Sequence, residues 1–144
     1  MSTITVIPAD SAEVVALSGD SAFRLLADGG AFGGHRLTLD VGADGAKPHF
    51  HARSSELFYV LDGVLEFRHG TTTAVGRGGL VVVPPGVPHA FGAAPGHRAD
   101  LLVVLTPGVE RFGYFRHLGR IARGLDTVDA LRSEQDRYDV HFTG

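Results

Sequence analysis

Apolar residues along the chain arrive in short runs, and each run is closed by glycine or proline. "FRLLAD" (Phe23–Asp28) ends at Gly29-Gly30, and "HRLTLDV" (His35–Val41) alternates, placing His35, Leu37, Leu39 and Val41 on one face of a strand. "ELFYVL" (Glu56–Leu61) runs into Asp62-Gly63, which reads as a hairpin turn, and "VLEFR" (Val64–Arg68) returns. "TTTAV" (Thr71–Val75), "LVVV" (Leu80–Val83), "HAF" (His89–Phe91) and "ADLLVVL" (Ala99–Leu105) follow, separated by "GRGG", "PPGVP" and "GAAPGH". Short strands at this spacing predict an all-β sandwich or barrel. Helical periodicity enters only after Thr106. Thr106 can cap, Pro107 suits a first turn, and Val109, Phe112, Phe115, Leu118 and Ile121 recur at helical spacing up to Gly124. A weaker helical pattern covers Asp126–Tyr138, and no internal repeat or low-complexity segment is visible.

At 144 residues the chain suits one domain, a barrel over about 20–106 followed by a helical extension over about 107–140. Hydrophobic content of 44% and charged content of 20% describe an ordinary globular protein. A net charge of -3 and a pI near 6.2 supply no electrostatic footprint for nucleic acid or an anionic membrane. No apolar run approaches the roughly 18 residues of a membrane helix. The opening "MSTITVIPADSAEVVALSGDSA" lacks a basic stretch followed by a continuous apolar one, so the expected location is cytoplasmic. With no cysteine, any metal must be held by histidine and carboxylate.

"KPHFHARSSELFYVLDG" concentrates such groups. His49 and His51 are two apart and project to the same face of a strand, a spacing at which two imidazoles can meet one ion. Glu56 follows after the four residues "ARSS", which read as a turn returning its carboxylate on the next strand. His89 follows "VVVPPGVP", whose prolines would fix the start of its strand. Three imidazoles and one carboxylate form a set for one divalent transition metal (Fe, Ni, Mn, Co, Cu or Zn), with positions left open for water or substrate. His69, His97 and His117 are expected in solvent, and His35 in either the pocket or the core. Phe58, Val60 and Phe91 share parity with ligands and fit cavity wall or core equally. Arg111, Arg116, Arg120 and Arg123 read as a solvated basic stripe.

Gly42, then His49-x-His51, Glu56 and Gly63 resembles the first cupin motif; Gly78, Pro84-x-Gly86 and His89 resembles the second. Gly42 lies one residue further from His49 than usual, and Ala93 stands where the second motif normally ends in asparagine. Neither departure removes a ligand. The resemblance implies a double-stranded β-helix, or jelly-roll, barrel with metal on His49, His51, Glu56 and His89. "PHFHARSSELFYVLDGVLEF", "TPGVERFGYFRHLGRIARG" and "DRYDVHFTG" extend the resemblance to small, single-domain quercetin-dioxygenase-like cupins. In the characterised flavonol dioxygenases of that group the metal binds the substrate, the glutamate assists its deprotonation, and dioxygen opens the ring. The helical tail match carries no catalytic residue.

With no cysteine and no nucleophile elbow, a metal is the one evident reaction centre, and Glu56 is the candidate base. The leading reading is a metal-dependent dioxygenase acting on a small aromatic or enolisable molecule, with dioxygen as co-substrate. A metal-dependent isomerase, cyclase or decarboxylase on the same site is the second reading. A non-catalytic small-molecule-binding module is the third. Homodimerisation is expected from the family resemblance and from Leu57, Tyr59 and Leu61 on outer strand positions.

Overall fold

The computed structural model describes residues 3–143 and curls ten antiparallel strands into two sheets that share one strand. The strands are β1 (Glu13–Ala16), β2 (Ala22–Ala27), β3 (Gly33–Leu39), β4 (Asp44–Phe50), β5 (Ser55–Arg68), β6 (Thr72–Gly76), β7 (Leu80–Val83), β8 (His89–Ala93), β9 (Ala99–Thr106) and β10 (His141–Phe142). One sheet runs β1-β2-β3-β9-β5 with β7 on β5; the other runs β5-β8-β4-β10 with β6 on β5. The expected all-β cupin-type barrel is what the chain forms. Alternation drives it. Ala99, Leu101, Val103 and Leu105 of β9 turn inward, as do His35, Leu37 and Leu39 of β3. Both rows pack on Phe58, Val60 and Leu65 of β5.

Asp62-Gly63 is not a hairpin turn. β5 continues through it, pairing with β9 on one side of the dipeptide and with β6 and β8 on the other. A bulge between Val60 and Asp62 shifts the register, so the inward set changes from Glu56, Phe58 and Val60 to Leu65 and Phe67. That one-residue shift carries a single strand from one sheet into the other. Gly63 makes the corner possible: its φ is 74°, and a Cβ there would lie 1.9 Å from the Arg98 carbonyl oxygen. The dipeptide signal was real, but it encoded a bulge.

The helix after β9 begins five residues later than Thr106-Pro107 predicts. Thr106 ends β9 and donates its hydroxyl to the Ala31 carbonyl (2.8 Å), while α1 spans Phe112–Ala122. Its cap comes from elsewhere in the chain: Asp28 Oδ1 accepts from the N–H groups of Arg111 (2.7 Å) and Phe112 (3.2 Å). A carboxylate at a helix N-terminus satisfies free N–H groups and opposes the helix dipole. The second helical pattern splits into α2 (Val128–Arg132), capped by Thr127, and α3 (Gln135–Tyr138). Asp139 then takes a left-handed conformation, φ 53°, and turns the chain into β10, which pairs with His49 and Phe50 of β4. Among the described residues no helix is long and apolar enough to cross a membrane.

Candidate metal centre

His49 stands near the end of β4, opposite His89 at the start of β8. His51 lies just beyond β4, and Glu56 enters from β5 opposite Leu105. All four side chains are buried, and their ligand atoms lie within 4.8 Å of one another. The four residues singled out in the sequence are therefore brought to one point.

Each imidazole is oriented by a main-chain carbonyl. Nδ1 of His49 donates to Lys47 (2.7 Å), Nδ1 of His51 to Asp139 (2.7 Å) and Nδ1 of His89 to Val87 (2.9 Å). A carbonyl only accepts, so each Nδ1 carries the proton and each Nε2 is turned to the cluster, the arrangement that fixes a metal-binding tautomer. His89 Nε2 meets Glu56 Oε1 at 2.8 Å. His51 Nε2 lies 3.2 Å from the same oxygen without alignment for a hydrogen bond, and it is buried with no partner. A buried polar atom is costly to leave unmet. A cation among the four groups would satisfy it, so this donor set fits a divalent first-row metal.

The charges are consistent with that fit. Burial pushes the His49 imidazole down to about 4, leaving it neutral near pH 7. Burial also acts to raise the Glu56 carboxyl, but His51 and His89 outweigh it and hold the group far below the usual carboxylate range. His89 moves the other way: burial lowers it, and the Glu56 carboxylate more than compensates, raising it above an ordinary histidine. The His89–Glu56 contact joins two of the groups that a cation would meet. Aromatic rings back the cluster, with Phe67 stacked on His89 at 5.7 Å and Phe58 packed edge-on at 6.1 Å. Phe58 and Val60 prove to be core, whereas Phe91 lines the cavity beside the site. Phe91 sits so close over β4 that a Cβ on Gly45 would meet its ring at 2.3 Å.

The cavity that opens on His49, His51 and Glu56 has a volume of ≈ 40 Å³ and is walled by β2, β3, β4, β8, β9 and α1. That is room for roughly three waters. His35 lines it, packed against Phe115 at 4.3 Å, and burial pushes its imidazole down to about 4. His69 and His97 are exposed as expected. His117 is not: it is buried, with Nε2 donating to the Thr127 carbonyl at 3.0 Å, and fastens α1 to the following loop. Arg111 also departs from the solvated stripe. It is 4% exposed and lines the cavity with Tyr114 and Phe115, while Arg116 and Arg123 do face solvent. Its phase was readable, since Arg111, Phe115 and Leu118 share one helical face (i, i+4, i+7). Asp139 carried no such signal, because its partners lie far away in sequence.

A model of the cupin domain matches residues 35–106, half of the chain. Among solved structures, an RmlC-like cupin from Shewanella frigidimarina superposes with a TM-score of 0.64 at 21% identity, covering 76% of this chain and 96% of that one. The polyketide cyclase RemF from Streptomyces resistomycificus gives 0.60 at 23% identity, over 72% and 80%. A variant of PAC13 from Streptomyces, solved with uridine, gives 0.60 at 19% identity, over 76% and 87%. A sequence search of the curated proteins finds no match.

Proposed function

Because this chain belongs to the cupin family, we propose that His49, His51, Glu56 and His89 hold one divalent first-row metal in a metal-dependent oxidoreductase of the dioxygenase type. One observation carries the reading: three imidazoles, each locked through Nδ1, turn Nε2 toward a buried carboxylate at the base of an apolar cavity. When bound, such a metal supplies Lewis acidity to an enol or phenol oxygen and the redox chemistry that dioxygen requires. The protein's own groups do the rest. Glu56 is ionised and takes the proton from the substrate hydroxyl on a carboxylate oxygen. Leu37, Leu105 and Phe115 keep water from the site. A cavity of ≈ 40 Å³ favours a substrate of few heavy atoms over a flavonol; drug-sized ligands occupy about 300–1,000 Å³.

Oxygen uptake is the test. An electrode trace with the metal-loaded protein and a panel of flavonols and smaller enols should show one dioxygen consumed per substrate lost. Turnover without uptake would instead establish the second reading, a non-oxidative cyclase, isomerase or decarboxylase, which the likeness to the RemF cyclase fold favours. Homodimerisation is proposed through the face where Tyr59 pairs with Leu80, since Leu80 and Val82 are 56% and 61% exposed. Sedimentation at micromolar concentration should give a dimer.

A further inference from the structure

Arg111 is a cationic side chain in the cavity wall that neither the motifs nor the proposed chemistry uses. Its guanidinium is engaged on two of its three nitrogens. Nε donates to the Tyr138 carbonyl (2.8 Å), and Nη2 reaches Ser54 Oγ (3.3 Å), the Asp139 carboxylate (3.4 Å) and the Asp139 carbonyl (3.5 Å). Nη1 is buried and has no partner. A guanidinium whose sole task was to fasten the tail would be satisfied by those contacts. Two N–H donors of a charged group, buried and without a protein acceptor, are expensive, and they call for one.

The position of Arg111 says where that acceptor sits. Arg111 lines the same cavity as His49, His51 and Glu56. Its charge is felt by His35 and Tyr114, both on the cavity wall, and the Glu56 carboxylate is felt by Arg111 in turn. The rest of the wall is largely apolar, with Phe23, Leu37, Phe91, Leu105, Phe115 and Leu118.

We propose that the cavity selects an anion: a small carboxylic acid carrying an enolisable carbonyl, with one carboxylate oxygen accepting from Arg111 Nη1 and the carbonyl end facing the His49–His51–Glu56–His89 cluster. The carboxylate answers the unmet donors, and a few-atom acid fits the volume. The proposal rests on the metal reading above and specifies its substrate class.

Calorimetric titration of the zinc-loaded protein, which binds without oxygen turnover, tests it. The probes are pyruvate and acetoacetate, each beside its neutral methyl ester. The parent should bind acid over ester by about tenfold or more, as a charge-assisted contact requires. Arg111→Gln should bring acid and ester within about twofold while still loading one zinc per chain. Equal binding of acid and ester by the parent overturns the proposal, as does a preference that survives Arg111→Gln. If Arg111→Gln fails to fold, Arg111→Lys decides, since it keeps the charge and loses the fork. A reduced preference supports the inference, and an unchanged one defeats it. The arginine side-chain 15N spectrum gives a second readout: pyruvate should shift the Arg111 Nη1 resonance and methyl pyruvate should not. The metal reading fails separately, on zinc stoichiometry well below one, and acid-over-ester selectivity of the metal-free protein then judges Arg111 alone.

Discussion

Replacing Asp139 with asparagine isolates what ties the tail to the barrel. The Asp139 carboxylate is fully buried and accepts from the N–H groups of Ala52 (2.7 Å) and Arg53 (2.9 Å), from His141 Nε2 (3.1 Å) and from Arg111 (3.4 Å). Asparagine is nearly isosteric, and its tolerance of the left-handed backbone at this position keeps conformational strain out of the comparison. The amide has one acceptor oxygen. If it takes the Ala52 N–H, its NH2 faces the Arg53 N–H, donor against donor. A buried donor left unmet costs about 1–3 kcal/mol. Removing the anion beside buried Arg111 adds less than the roughly 3–5 kcal/mol of breaking a wholly buried pair, because Tyr138 and Ser54 still serve the guanidinium. The two losses share a site and do not add fully, so Asp139→Asn should destabilise by about 3 kcal/mol. For a chain of this length that is about 6–12 °C in melting temperature.

Urea unfolding at pH 7, followed by circular dichroism, gives the value directly. Acid supplies an internal check. Burial would raise the Asp139 carboxyl, but the two backbone N–H donors, the Arg111 charge and the His141 hydrogen bond hold it below its usual value. Its stabilising contribution is therefore complete above the unfolded value of about 3.9 and disappears as pH falls through the lower folded value. The gap between parent and variant should close toward pH 2. A variant within about 0.5 kcal/mol of the parent at pH 7, or a gap independent of pH, refutes this account of the tail.

Other expectations follow from the same geometry. Elemental analysis of protein purified without chelator should find one first-row metal per chain, and His89→Ala should lose most of it. Chelation should lower the melting temperature, by an amount equivalent to about 4 kcal/mol where free metal stood at a thousandfold over its Kd. Glu56→Gln should retain measurable metal through the three imidazoles but lose turnover by about a hundredfold or more, as removal of a general base requires; parent-rate turnover would sink the base role. Gly63→Ala should cost at least about 3 kcal/mol or abolish soluble expression, because its Cβ would meet the Arg98 carbonyl at 1.9 Å in a left-handed backbone.

The strands β2, β3 and β5–β9 and the His–His–Glu–His cluster were legible because both rest on short-range rules, whereas β1 and β10 fall outside the expected barrel. Period-two alternation placed β3 and β9, and His49-x-His51 shares a face through the same periodicity. Misreadings arose where distant chain decided a local choice. Asp62-Gly63 turns or bulges according to whether Ala99 and Arg98 lie against it, and the sequence near residue 62 does not say. The start of α1 is set by Asp28, and the burial of Arg111 by Ser54, Tyr138 and Asp139. The periodicity of the helix itself still placed Arg111 on the face of Phe115, so that signal was present but outweighed by the neighbouring arginines.

The carbonyl that orients His51 belongs to Asp139, 88 residues further along the chain. A ribosome releases all four cluster side chains well before it reaches that position. The nascent barrel therefore carries the cluster before the carbonyl that orients His51 is in place, and that contact forms only when the tail docks. A cut between α1 and β10 that freed the tail would remove that carbonyl, so the orientation of a buried imidazole depends on a segment far from it in the chain.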